Sequence, residues 1–434
     1  MIQKSKSSCI QKRACVAFIC VMPLFFLSVR SWANALGFLA FFVACWNCFR
    51  SPKLYFSGRG KDFWLIFLSL ISPFLIEGCV QMARGEFIGG LLDGASRYLM
   101  AAITFAYLSA GKLEVPEGFY KKSLFAGLLI TTVTVILSPG HWWGQRAATY
   151  FVDPLTLPIY MLAMICILTP MLNMKFARES YRDEANPDSR LMVAVLFVST
   201  GYVILQSGSR TSWICALLVL TLSVVPQRKT ADFRLSKWAT LVFALIAISI
   251  FAQRNHFVIH RANEIQVEFA RLISGDFSNS SIGGRIELIM LDLKLFLINP
   301  FLGFGERGFP TYLALKEVYP ELTLEYYNLK KVAGSHTELT NALYTRGVFG
   351  FVTYGMTVLL PLWYFWKMRR SRARTNHMLF STYGPFLFCF VLFLAGFSIQ
   401  TFNLKMTATF YSMNLAMFYA YYYSEGRRSL EEVV

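Results

Sequence analysis

The sequence predicts an all-α polytopic membrane protein of about twelve transmembrane helices, with a helical domain on the outer face between spans nine and ten. Three observations predict it. Only 15% of the 434 residues are charged and 55% are apolar, whereas an ordinary soluble domain carries about 25% charged residues. Apolar stretches recur along the whole chain, and an α-helix needs about 20 such residues to cross a bilayer. None of these stretches alternates apolar with polar positions, as the strand of a transmembrane barrel would. The same composition excludes a soluble globular enzyme, a disordered chain and a fibrous protein.

In order, the predicted spans are 14–29, 31–49, 63–83, 95–110, 122–138, 154–174, 191–207, 212–226, 238–253, 338–366, 378–398 and 403–423. The basic start before residue 14 has the outline of a signal peptide. Further spans follow at once, so it reads as an uncleaved first helix. Basic residues crowd alternate loops, as in Arg228, Lys229, Arg234 and Lys237, or Lys367, Arg369, Arg370, Arg372 and Arg374. The opposite loops hold isolated arginines such as Arg30, Arg84, Arg146 and Arg210. Because Lys and Arg stay inside, both termini are expected in the cytoplasm. This asymmetry also accounts for the net charge of +17, and no nucleic-acid partner is expected. Nine cysteines lie nearly all in or beside apolar stretches, so no disulfide framework is expected.

One connection stands apart, residues 254–337, on the outer face. It contains two amphipathic helical stretches, 258–273 and 285–298, separated by a Gly- and Ser-rich loop. Long connections of this kind are functional or disordered, and its aromatic content argues for order. The expected division is therefore 1–253 with nine spans, 254–337 as the outer helical domain, and 338–434 with three spans and a cytoplasmic tail. No internal repeat is visible.

The residues able to do chemistry gather on the outer side. Arg210, in Gln206-Ser207-Gly208-Ser209-Arg210-Thr211-Ser212-Trp213, occupies a tight connection at the membrane boundary, where burying a guanidinium calls for an anionic partner. Read alone, it is equally a headgroup-snorkelling arginine. Arg285 follows Gly283-Gly284, so free backbone N–H groups at a helix start and its guanidinium can share one anion. A surface pairing with Glu287 is the alternative. His336, in Gly334-Ser335-His336-Thr337-Glu338, has the ordinary pKa of about 6.5 that suits taking a proton from a hydroxyl. Arg146, after Trp142-Trp143, is a fourth outer basic residue. Glu77 and Arg97 lie in or beside spans, where helix pairing explains them. Carboxylates and cysteines do not accompany the histidines at metal-ligand spacing, so neither metal nor cofactor is expected.

Several arginines and one histidine on one face of a lipid-embedded bundle suit a lipid-linked phosphate or pyrophosphate, whose oxygens guanidinium groups bind bidentately. The chemistry expected is displacement at the carbon bearing that phosphate, with His336 activating the attacking hydroxyl. Arg210 and Arg285 would offset charge on the departing pyrophosphate.

On SGSRTSW around Arg210, GGRIELI at Arg285, NPFLGFG at 299–305 and SHTELTNALYTRGVFG around His336, the chain resembles the O-antigen ligase and polymerase superfamily. It is most similar to the lipid A-core O-antigen ligases of Gram-negative bacteria. The motifs cover roughly residues 206–350, and the architectural likeness covers every span. The resemblance implies a GT-C-like inner-membrane glycosyltransferase acting in the periplasm without metal and with inversion. Its donor would be an undecaprenyl-pyrophosphate-linked glycan and its acceptor a lipid A-core hydroxyl, in lipopolysaccharide biosynthesis. By the same resemblance Arg210 and Arg285 are pyrophosphate-binding residues, His336 is the essential histidine and Arg146 is a further donor contact. In this chain Thr337-Glu338 follow His336, which leaves two readings of the imidazole, a base or a group that positions the acceptor, with Glu338 the residue that would orient it. An O-antigen polymerase or a protein O-glycosylating ligase would share the donor. A lipid-linked oligosaccharide transporter would instead show a polar midplane path and inverted repeats.

Overall fold

The computed structural model describes residues 2–169, 188–224, 256–274, 281–371 and 383–431, apart from positions 112, 142, 145, 307, 321, 401 and 403. Among them the regular structure is helical. In chain order the helices are α1 (Ile2–Phe25), α2 (Trp32–Arg50), α3 (Lys61–Ala83), α4 (Leu92–Leu108), α5 (Glu117–Leu137), α6 (Thr156–Leu168), α7 (Asp188–Gln206) and α8 (Arg210–Val224). There follow α9 (His256–Ile273), α10 (Ser281–Ile298), α11 (Tyr312–Val318), α12 (Leu324–Ala333), α13 (Glu338–Tyr354), α14 (Leu360–Ser371), α15 (Tyr383–Ala395) and α16 (Lys405–Glu431). Each predicted span whose residues are described contains helix, and several run past its end, as at 26–29 and 396–398. The ninth, 238–253, lies outside the described residues. Among the described residues, the helices long and apolar enough to cross a bilayer singly are Trp32–Arg50, Lys61–Ala83, Glu117–Leu137 and Glu338–Met368.

Burial follows the logic of lipid rather than water. Large apolar side chains point outward, with Phe49 85%, Leu137 75% and Ile214 61% exposed. Meanwhile Ser69, Glu77, Gln81, Arg97, Thr104 and Asn414 are buried. In water such a surface would associate or aggregate; against hydrocarbon it is the favoured arrangement. The chain is a multi-pass membrane protein. At its centre runs α16, almost fully buried from Ala408 to Tyr422, with its few polar side chains there, Thr409, Ser412 and Asn414, hydrogen-bonded within the bundle. It packs on α2, α3 and α4.

The buried charged residues Glu77 and Arg97 inside the bundle are paired. Glu77 accepts from Gln81 Nε2 at 2.7 Å and from Arg346. Arg97 binds Asp93 at 2.7 Å and lies 4.5 Å from the centroid of Phe38. The contacts of Glu77 with Arg346 and of Arg97 with Phe38 join helices, as the sequence suggests, while Gln81 and Asp93 pair within α3 and α4. The described cysteines are free thiols.

The predicted single span 338–366 is broken by a kink at Gly347 (φ 60°) and a π-turn at Gly355–Leu359. The kink receives the turn that ends α10. Asn299 Nδ2 donates to Gly303 O at 2.8 Å, Val348 N donates to Pro300 O at 2.7 Å, and Phe304 N and Gly305 N each donate at 2.9 Å to Tyr344 O and Thr345 O. A Cβ on Gly347 would stand 2.4 Å from the carbonyl oxygens of Pro300 and Phe301. Gly347→Ala combines that clash with a left-handed backbone, so it is expected to destabilise the fold by about 2 kcal/mol or more. A fluorescence-detected melt in detergent reads this directly. The NPFLGFG motif is thus architectural; it fastens α10 to α13.

A second, smaller core forms where Leu291 and Leu295 of α10, Leu315 of α11, Tyr319 and Leu322 pack with Tyr344 of α13. Helix α9 is strongly amphipathic but turned about: Ile259, Phe269 and Ile273 are exposed, and Glu264 and Glu268 face inward against Arg210.

Candidate functional site

Arg210 is the first residue of α8. The chain turns into it through Gly208 (φ 61°), where a Cβ would stand 2.8 Å from the Phe257 ring of α9. Flanking serines hold the turn: Ser207 Oγ donates to Ile204 O and Ser212 Oγ to Ser209 O, both at 2.7 Å. Arg146 reaches the same turn, its Nε donating to Ser207 O at 2.8 Å. Its own loop is held to α7 by Ala147 N donating to Gln206 O at 2.9 Å.

Arg210 is not free. Its Nη1 binds Glu268 Oε2 at 2.6 Å and its Nη2 binds Glu264 Oε2 at 2.9 Å, while its buried Nε has no partner. Glu264 also takes Arg261 Nη1 and sits 3.2 Å from His260 Nδ1. An open cleft of about 400 Å³ runs along α9, lined by Arg261, Glu264, Glu268 and Arg271 among others. The carboxylates that line the cleft are therefore those that hold Arg210.

Arg285 differs from its expected setting in one respect. Helix α10 begins at Ser281, so the first-turn N–H groups, free at any helix start, belong to residues 281–284, and Arg285 sits a turn further in. Gly283 and Gly284 are buried, letting that turn pack closely. The alternative pairing with Glu287 is not what forms, because the Glu287 carboxylate accepts from Tyr319 Oη at 2.8 Å. Half-buried, Arg285 makes no hydrogen bond or ion pair among the described residues. Burial first, then the charge of Arg210, lowers its pKa, partly offset by Glu268, with Arg261 lowering it further. Arg146 is lowered by burial and by Arg261, Arg285 and Arg210, against which Asp153 acts.

His336 lies between α12 and α13, half-buried. Its pKa is lowered by burial first, then by the positive charges of Arg285 and Lys330. Its imidazole makes no hydrogen bond among the described residues. Glu338 does not orient the ring: its Oε2 meets Phe402 N at 3.4 Å, and it opens α13.

These mutual electrostatic effects place Arg146, Arg210 and Arg285 in one neighbourhood, with His336 beside Arg285. The sequence reading passed over Arg261, Glu264 and Glu268. Their spacing on the predicted helix 258–273, which puts all three on one side, was the available signal. It also passed over Lys330 and Asp292, the latter marked by a lone acid in the apolar run Leu288–Leu291 and Leu293–Leu297 broken otherwise by Lys294.

The fold and site define a multi-pass helical membrane protein with a basic, half-buried cluster beside a histidine that has no partner among the described residues. Residues 194–355, which hold Arg210, Arg285 and His336, match the family model described as O-antigen ligase. No curated protein matches the chain.

Proposed function

We propose that the chain is an O-antigen ligase, moving a glycan from a lipid-linked pyrophosphate to a lipid A-core sugar hydroxyl at the periplasmic face of the inner membrane. The observation that carries this is the pairing of Arg285 and His336: both half-buried, the imidazole within reach of the Arg285 charge, and neither with a protein partner among the described residues. Four arginines against two or three carboxylates leave the neighbourhood positive, as a diphosphate requires.

In the reaction, His336 accepts the proton of the attacking hydroxyl as the new C–O bond forms at the anomeric carbon. The bond from that carbon to the pyrophosphate oxygen breaks with its electron pair, and Arg285 and Arg210 receive the charge. A single displacement inverts the anomeric centre. The depressed pKa of His336 suits a base that must be neutral near pH 7. Burial and neighbouring cations make its protonated form the costly one, so transfer is expected to persist below pH 6.5 and fall only at more acid pH. Because arginines and a histidine supply the whole site, chelation is expected to leave transfer intact. The proposed topology has about twelve spans, both termini in the cytoplasm and residues 254–337 outside. A cysteine at 336 should then react with an impermeant thiol reagent added from the periplasmic side.

Transfer by the purified protein from lipid-linked glycan decides the acceptor. Sugar on lipid A-core supports the ligase, whereas sugar on a second glycan lipid or on protein would make it a polymerase or a protein ligase.

Glu264 and Glu268 hold Arg210 as a diphosphate would. Removing both charges by Glu264→Gln with Glu268→Gln is expected to lower the donor KM about three- to tenfold, since like charges near an anion site oppose binding. An unchanged donor KM would mean that Arg210 serves α9 alone.

A further inference from the structure

Two buried ionic side chains without a part in the proposed chemistry lie beside His336. Lys330 on α12 is 4% exposed and Asp292 on α10 is 0% exposed, and they form an ion pair. Lys330 Nζ also donates to Ser335 Oγ and lies 4.5 Å from the Tyr344 ring centroid. The second Asp292 oxygen accepts from Thr340 Oγ1 at 2.8 Å. Thr340 Oγ1 meets Thr337 Oγ1, and Thr337 caps α13 by accepting from Thr340 N at 3.3 Å. From the far side, Ser335 O accepts from Gln400 Nε2, and Glu338 N donates to Gly396 O at 2.7 Å. Both neighbours of His336 are thus tied by side chain or backbone, and the imidazole between them makes no hydrogen bond among the described residues.

Stability does not account for this arrangement. A buried ion pair gains little over an apolar pair of similar volume, whereas its directional bonds fix one geometry among several. The relay from Ser335 through Lys330, Asp292 and Thr340 to Thr337 starts on one side of His336 and ends on the other. We propose that Lys330 and Asp292 are positioning residues for His336, holding the Ser335–Thr337 backbone so that the imidazole stands against Arg285. The proposal rests on His336 being the proton acceptor. The charged groups around that loop are Arg285 and Asp292 from α10, Lys330 from α12 and Glu338 from α13; Gln400, beyond α15, is uncharged. Lys330 therefore has a second effect. Its fixed charge disfavours the imidazolium, so removing it makes protonation easier and moves the acid limb of the pH–rate profile upward.

The test uses the purified full-length protein with lipid-linked glycan and lipid A-core, reading kcat and donor KM across pH. A parallel NMR titration of the histidine side chains, with His336 assigned from the spectrum of His336→Gln, needs no turnover. Ser335→Ala and Thr340→Val cut the relay without stranding a buried charge. Each is expected to lower kcat about 10- to 100-fold, as small misplacements of a reacting group do, with donor KM unchanged. Lys330→Arg should keep most of kcat, and the neutral pair Lys330→Met with Asp292→Asn should raise the pKa of His336. Wild-type kcat in both Ser335→Ala and Thr340→Val overturns the proposal, whether or not the neutral pair folds. So does an unmoved His336 titration in a folded neutral pair. A wild-type protein that transfers no sugar, while His336 still titrates as described, would instead remove the ligase reading.

Discussion

His336→Ala is expected to lower glycan transfer by about 10²- to 10⁴-fold, the range typical for loss of a positioned general base. The imidazole has no hydrogen bond among the described residues to forfeit, and its backbone is held by Ser335 and Thr337 rather than by the ring. The variant should therefore fold and melt like the parent in detergent, and it should bind donor normally. His336→Gln, which keeps a hydrogen-bonding group but takes up no proton, separates two roles. If the ring only positions the acceptor hydroxyl, Gln recovers much of the rate; if it accepts the proton, Gln is as poor as Ala. The parent's pH profile supplies the independent check. Stored as the neutral form by burial, Arg285 and Lys330, the base is active at pH values where an exposed histidine, with its pKa of about 6.5, is already half protonated. A profile whose acid limb lies above pH 6.5 would contradict a base in this environment.

The helical content was legible because apolar stretches of spanning length carry a strong local signal, and a helix in lipid must satisfy its backbone within itself. The kink at Gly347 was not legible, since it depends on Pro300 and Phe301 approaching from a different helix. The site divides in the same way. Arg210, Arg285 and His336 stand in short local patterns rich in Gly and Ser, and so could be singled out. The carboxylates that hold Arg210 lie 54 and 58 positions away, and Asp292 lies 38 from Lys330. Pairings at such separation are set by how helices pack, which no local pattern encodes. On α9 the apolar Ile259, Phe269 and Ile273 are exposed while Glu264 and Glu268 turn to Arg210, a choice of face that the 3.6-residue pattern alone does not encode.

Arg285→Ala is expected to cost about 10²- to 10³-fold in kcat, the loss typical for one preorganised group that meets developing negative charge. Its stability signature should be the reverse of Arg210→Ala. Arg285 has no protein partner among the described residues, and Arg210 and Arg261 repel it, so truncation strands no carboxylate and relieves like-charge crowding. Thermal stability should hold or rise while activity disappears, the trade expected where a site is strained for function. Arg210→Ala leaves Glu264 and Glu268 facing each other without the guanidinium that joins them, and so should lower both activity and stability. Arg285→Lys refines the assignment. It keeps the charge but presents a point donor in place of a planar fork, so it should restore part of the rate and bind donor more weakly than the parent if the guanidinium grips two phosphate oxygens at once. Full activity in Arg285→Ala would mean that the unpartnered guanidinium does not meet the leaving group, and the positive cluster would then have to act through Arg210 and Arg146 alone.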